Sequence, residues 1–240
     1  MHLSLNQVEH TARKAVRGAG LPWGLAEDAG RAVRWLESVD LDGAHQLADH
    51  LQTVEQTNLE QLKIVQHNGV WCAKEGTTSP LYAGPSIADC VNAGSLGAAE
   101  SDEIYPDRVL PDRVPPDRIL SIENIEYPLL AAGFAGVAAR QSGRWIRLGW
   151  GDIKVYCCPD GLGFSGNRKS LDLESTSKME VQLLEPDEVG MNTFWQVSHD
   201  PCSVLEADWE VLERFAYRTY VEATDASRLA GAGAGLNDND

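Results

Sequence analysis

The chain lacks a long apolar run. Its most apolar stretch, residues 129–139, is rich in Ala and Gly and stops at Arg140. That is well short of the roughly 20 residues needed to cross a bilayer, so no transmembrane helix is expected. The opening Met1-His2-Leu3-Ser4-Leu5-Asn6 has no basic segment followed by an apolar core. That combination marks a secretory signal, and its absence makes the cytoplasm the expected location. Cysteine is sparse: Cys72, Cys90, Cys157, Cys158 and Cys202, an odd number with one adjacent pair and no Cys-x-x-Cys. Zinc-ribbon and thioredoxin-type motifs are therefore absent, and reduced thiols fit better than a disulfide framework. Basic residues are outnumbered, 20 Lys plus Arg against 36 Asp plus Glu, for a net charge of −16. The basic residues are scattered, with no stripe. Such a surface repels phosphate backbones and anionic lipid, so neither nucleic acid nor membrane is expected as a partner.

What is present is an ordinary folded composition: 240 residues, 43% hydrophobic and 23% charged. The first part reads as helices. Ser4 with Gln7 forms a capping box, and Leu3 can staple to Val8. Val8, Ala12, Ala15, Val16 and Ala19 then recur at helical spacing, and Gly18 and Gly20 stand where the helix should end. Pro22 opens a second helix with Leu25, Ala29, Ala32, Val33 and Leu36 inward. A third starts at Asp42, with Ala44, Leu47, Ala48, Leu51 and Val54 inward. After Gly69 the period changes. Strands are expected at residues 70–73, 119–127, 144–150, 153–158, 169–174, 179–184 and 194–198. One or two helical turns should follow Pro85, and an Ala-rich helix should run from Pro128 to about Arg140. The connections between the later strands are short, which favours antiparallel pairing. Ser203 with Glu206 reads as a second capping box, opening a helix with Leu205, Trp209, Leu212, Ala216 and Tyr220 on one face. The expected class is α+β: an N-terminal helical bundle, a mainly antiparallel β-sheet and a C-terminal amphipathic helix. The expected division is a helical part at 1–68, an α+β body at 69–224, and a flexible Gly/Ala/acidic tail at 225–240.

Pro-Asp-Arg occurs three times at a five-residue period, ending at Arg108, Arg113 and Arg118. Proline keeps this segment, within about 100–119, out of a central strand. It reads as a solvated insertion, each Asp offsetting its Arg, or as an arginine cluster gripping an anion.

Four patterns bear on chemistry. Gly161-Leu162-Gly163-Phe164-Ser165-Gly166 fits Gly-x-Gly-x-x-Gly, but the polar segment after it offers no helix to hold a pyrophosphate. It reads as a turn in a hairpin, and no cofactor is expected. Cys157 and Cys158 adjoin on a strand, so one thiol should be buried and the other exposed. Cys158 (or Cys157) with His199 and Asp200 supplies the residue types of a nucleophile, a base and an orienting acid. The bland alternative is core plus turn. Asp42, His45 and Asp49 share a helix face at metal-ligand spacing; this reads as an ordinary polar face, and no metal is expected. Arg144, Trp145, Arg147 and Trp150 place cations and rings on one strand, with the two tryptophans on opposite faces, where a sheet–helix cleft could hold an anion. Seven tryptophans in all suit a core, with one or more left for a contact.

Residues 3–27 and 218–233, including Arg17-Gly18-Ala19-Gly20-Leu21-Pro22-Trp23 and Arg228-Leu229-Ala230-Gly231, resemble a bacterial family known only as a domain of unknown function, and the resemblance is expected to cover nearly the whole chain. The first 50 or so residues also resemble the N-terminal helices of the malate/L-lactate (sulfolactate) dehydrogenase family. That resemblance implies an NAD-dependent fold whose catalytic histidine lies in an Asp-Ser-His-Gly segment. The matching stretch here, Val39-Asp40-Leu41-Asp42-Gly43-Ala44-His45, lacks Ser-His-Gly, and the resemblance would assign that role to His45. The residues favour a non-catalytic accessory or partner subunit in small-molecule metabolism, contacting a protein partner or a second copy. The alternatives are a small cysteine- or histidine-based enzyme and an anion-binding protein.

Overall fold

The computed structural model describes residues 1–67, 69–93, 119–185, 188, 190–191 and 193–220. The Pro-Asp-Arg repeat and the acidic tail lie outside them. After a two-residue strand β1 (His2–Leu3), three helices follow: α1 (Leu5–Gly18), α2 (Trp23–Ser38) and α3 (Gly43–Val54). The capping box is present, with the Ser4 hydroxyl accepting from the Gln7 N–H at 3.3 Å and the Gln7 carbonyl accepting from the Ser4 N–H at 2.9 Å. Pro22 is the N-cap of α2, with its first turn beginning at Trp23.

Strands β2 (Ile64–His67) and β3 (Val70–Ala73) precede α4 (Pro80–Ala93). Then come β4 (Ile119–Glu126), α5 (Pro128–Ser142), β5 (Trp145–Trp150), β6 (Ile153–Cys158) and β7 (Gly161–Ser165). A 3-10 turn (Arg168–Asp172), β8 (Ser175–Leu184), β9 (Thr193–Gln196), β10 (Cys202–Ser203) and α6 (Glu206–Tyr217) complete the described chain. β2, β3, β4, β8, β5, β6, β7 and β9 lie in that order in one sheet. Every named pair in it is antiparallel except β3 with β4. The sheet is thus mainly antiparallel, and the class is α+β as expected.

Four local expectations are corrected. Residues 161–165 are strand rather than turn. Glycine is needed there because β9 and its approach crowd the strand: a side chain at Gly161 would meet the Trp195 carbonyl, and one at Gly163 would meet the Met191 sulfur. Residues 168–172 form a 3-10 turn rather than a strand, with Asn167 accepting from the Lys169 N–H. Helix α4 begins at Pro80 and runs through Pro85, with the Ser79 hydroxyl accepting from Leu81 N–H at its start. The Ser203–Glu206 box does not form. Ser203 pairs with His2 in a small second sheet, and Leu205, two-thirds exposed, is the N-cap of α6.

Helix α5 explains its own composition. It contacts β5, β6 and β8 on one side and α2, α3 and α4 on the others. A helix apolar all round is one buried all round, and from Pro128 to Ala139 every residue but Val137 is buried, with the last turn from Arg140 reaching solvent. Small residues let its neighbours come close. Gly133 faces the Ala32 carbonyl, Gly136 carries the Trp35 ring, and the Phe134 ring lies against Gly84 of α4. One hydrophobic cluster therefore runs from Val8 and Leu47 through α5 to Ile146 and Val181 of the sheet and Leu212 of α6. No described helix is long and apolar enough to cross a membrane.

Candidate functional site

Both adjacent thiols are buried, against the expectation that one would face solvent. Cys157 faces α5, its thiol 3.5 Å from the Ala132 carbonyl. Cys158 folds back on its own hairpin, 3.4 Å from the Gly161 carbonyl. Burial pushes both thiols above their ordinary range, which suppresses the thiolate a nucleophile needs. His199 is exposed after β9, and Asp200 accepts from the Ser198 hydroxyl at 3.0 Å. No polar contact among the described residues joins His199 to Cys158 or to Asp200. On β5, Trp145 and Arg147 face away from the helices and Ile146, Leu148 and Trp150 face the core, as alternation requires. Trp150 donates its indole N–H to the Ser170 carbonyl at 2.6 Å, and Arg147 bonds Gln182 on β8. Arg144, Trp145 and Arg147 line none of the described cavities; Trp150 borders an open groove of about 590 Å³ with Lys154 and Lys178.

The arginines that do converge are others. Arg31, Arg34, Trp35 and Ser38 fall on one face of α2 at three- and four-residue steps. That face borders a cavity of about 500 Å³ shared with α1, α5 and the chain after β9. Val137, Arg140 and Gln141 come from the last turns of α5, Leu5 and Glu9 from α1, and Val197 to His199 from the strand exit. Arg31 is held by Asp28 at 2.9 Å, and Arg34 by Glu9 at 2.8 Å. Arg140 has no anionic partner among the described residues. Trp35 is 3% exposed, and its indole N–H has no hydrogen-bond partner. Of the three guanidinium groups at the lining, Arg31 and Arg34 are thus offset by acids, and Arg140 is the one left without such a partner among the described residues. His199 lies at this cavity, so the segment singled out in the sequence is placed here. The arginines were missed because they come from two helices more than 100 positions apart. The legible hint was a basic face on α2 in an acidic chain.

A second cavity, of about 370 Å³, shares Ser38 and Ser198 with the first. The Ser198 N–H donates to the Ser38 carbonyl at 2.7 Å between them. Asp200, Cys202 and the buried carboxyl of Glu37 line it. Asp42 makes no side-chain cap for α3; Glu37 accepts from the Ala44 N–H at 2.8 Å instead. Burial, together with Asp42 and Asp40 nearby, pushes the Glu37 carboxyl up to about 7 despite that hydrogen bond. Burial and the adjacent Glu37 push the Cys202 thiol up to about 11.

Two histidines of α3 have partners that the sequence could not show. His45 lies between Asp208 of α6, at 3.2 Å from Nδ1, and Asp49, at 3.6 Å from Nε2. These three residues are close enough to ligate a metal ion. However, a carboxylate at each ring nitrogen is the arrangement of an imidazolium bridging two acids. Burial acts to lower the His45 pKa, but the hydrogen bond with Asp208 and the charges of Asp208, Asp49 and Asp42 outweigh it, and the net direction is up. The face carrying His45 is thus packed on α6 rather than fully solvated. His50 is fully buried, with Nε2 2.7 Å from the Ser79 hydroxyl and Nδ1 3.3 Å from the Glu126 carboxylate, the latter outside hydrogen-bond alignment. His50, above all, holds the Glu126 carboxyl below its usual range. Left-handed backbone at Asn124 and Tyr127 brackets Glu126. Serine, histidine and glutamate in a row are the parts of a hydrolytic relay, but Ser79 is 1% exposed and no described cavity reaches it. This row caps α4 and ties it to β4.

Residues 3–78 match the family described as a protein of unknown function (DUF3726). A comparison with curated proteins finds no match. Among solved structures, the chain is similar to malate dehydrogenase from Pyrococcus horikoshii OT3. The identity is 9% and the TM-score 0.45, over 74% of this chain and 50% of that one. It is also similar to malate dehydrogenase from Entamoeba histolytica, at 9% identity and a TM-score of 0.39, over 82% of this chain and 49% of that one. The chain spans about half the length of these structures. The likeness is weak and carries nothing about activity.

Proposed function

We propose that the chain is a binding protein for a small organic anion, acting without chemistry of its own in small-molecule metabolism. The ligand is a carboxylate or phosphate ester with an apolar body, held in the cavity between α1, α2 and α5. The supporting observation is Arg140 at the end of α5, which lines this cavity without an acidic partner among the described residues, while Arg31 and Arg34 are offset by acids. Arginine's planar fork suits either oxyanion, and Leu5, Val137 and Val197 offer apolar contact. A binding role fits better than catalysis because burial suppresses the thiolates of Cys157, Cys158 and Cys202.

The test is thermal shift and tryptophan fluorescence with a panel of citrate, succinate, phosphate and an aromatic carboxylate. At least one anion should raise the melting temperature saturably, as any ligand specific to the folded state must. Arg140→Ala should weaken that anion by roughly tenfold or more, the worth of a charge-assisted hydrogen bond, without altering the unliganded melt. No shift from any anion, or equal shifts in the variant, would refute the reading.

A further inference from the structure

A basic and aromatic patch lies away from every cavity described above. Of the seven tryptophans, Trp23 is the one that is exposed, at 50%. Tyr217 and Tyr220 at the end of α6 are 75% and 59% exposed. The two groups meet at the end of α1, which crosses α6 at Gly18, where a side chain would overlap the Phe215 carbonyl. Lys14 and Arg17, one turn apart on α1, complete the patch. The Lys14 ammonium lies 4.4 Å from the centre of the Tyr220 ring and donates to its hydroxyl at 2.9 Å. Arg17 lies 5.6 Å from the centre of the Trp23 ring and donates to the Leu21 carbonyl. Tyr217 and Tyr220 are 5.9 Å apart. Neither Lys14 nor Arg17 pairs with a carboxylate among the described residues, although the chain has 36 acids for 20 bases.

Burying an aromatic ring stabilises a monomer; leaving three exposed beside two uncompensated cations does not. Exposed Trp and Tyr with Arg are the composition of an interface hot spot. The cations set the sign of what docks. From these observations we infer that Lys14, Arg17, Trp23, Tyr217 and Tyr220 form the docking surface for an acidic segment of a partner protein. Its carboxylates meet Lys14 and Arg17, and its apolar side chains pack on the three rings. An anionic bilayer would offer the same charge, but the net charge of −16 opposes approach to an extended charged sheet. A short peptide stays within the patch's own field.

The full chain is titrated into a fluorescein-labelled peptide of alternating Glu and Leu, with anisotropy as the readout and the Lys-for-Glu peptide as control. Saturable binding of the acidic peptide is expected, weakening with added salt as exposed charge pairs do. Binding should fall by roughly tenfold in the double variant Lys14→Glu/Arg17→Glu and by several-fold in Trp23→Ala, which keeps the charges. Trp23 is exposed and Lys14 and Arg17 are half-buried, and circular dichroism checks that each variant folds. Absence of binding, equal binding by the double variant, or binding to phosphatidylserine vesicles in place of the peptide would overturn the inference.

Discussion

Glu37 gives the sharpest stability test. The residue is 8% exposed, its carboxyl is close to Asp40 and Asp42, and it caps α3 through the Ala44 N–H. In the unfolded chain it should release its proton near 4.5; in the fold it does so at about 7. The folded state therefore holds this proton more tightly than the unfolded state. Its favourable effect is fully present below pH 4.5, fades as pH rises towards 7, and is gone above that. At about 1.4 kcal/mol per pH unit, ionised Glu37 costs the fold about 3 kcal/mol at pH 8 relative to pH 4.5. Glu37→Gln removes the charge and keeps a carbonyl oxygen for Ala44. In urea denaturation followed by circular dichroism, the variant should match the natural chain within about 1 kcal/mol at pH 4.5. At pH 8 it should exceed it by about 2 kcal/mol, which is about 4–8 °C in melting temperature for a chain of this size. Because the comparison is between variants at each pH, titration of all other groups drops out. If the stability difference does not change between pH 4.5 and 8, or if the variant is weaker at pH 8, the argument from burial is refuted.

Gly18→Ala should destabilise by about 2–4 kcal/mol in thermal or urea melts, because the new methyl would overlap the Phe215 carbonyl where two helix backbones cross, and backbone cannot rotate away. His50→Gln should cost about 2–3 kcal/mol by the same assays. It breaks the row from Ser79 to Glu126, and proton titration by NMR should show the Glu126 carboxyl moving back up towards its ordinary range.

The parts of the fold written in local chemistry were legible. The Ser4–Gln7 capping box and the period-two alternation of β5 are properties of neighbouring residues, and they stand as read. In β6 the alternation fails, because the strand is covered on both faces from Val155 to Cys158. What failed was decided by distant chain. Glycines at 161 and 163 look like a turn in isolation; they are strand because β9 and Met191 press on them. Ser203 and Glu206 have the spacing of a cap, but pairing with His2 places Ser203 in a strand. The candidate sites divide the same way. His199 and Asp200, singled out by residue type, border the two cavities that share Ser38 and Ser198. Arg34 and Arg140 are joined only by the packing of α2 on α5, and His45 and Asp208 only by that of α3 on α6. No periodicity carries that information.

Helix α5 has a consequence for how the protein comes apart. Up to Ala139 it is buried on nearly every side, so neither the helical layer nor the sheet can keep its apolar surface covered once that helix leaves. The two layers share one keystone and must be lost together. Heat or urea should therefore meet a single cooperative transition, with fluorescence and circular dichroism reporting the same midpoint.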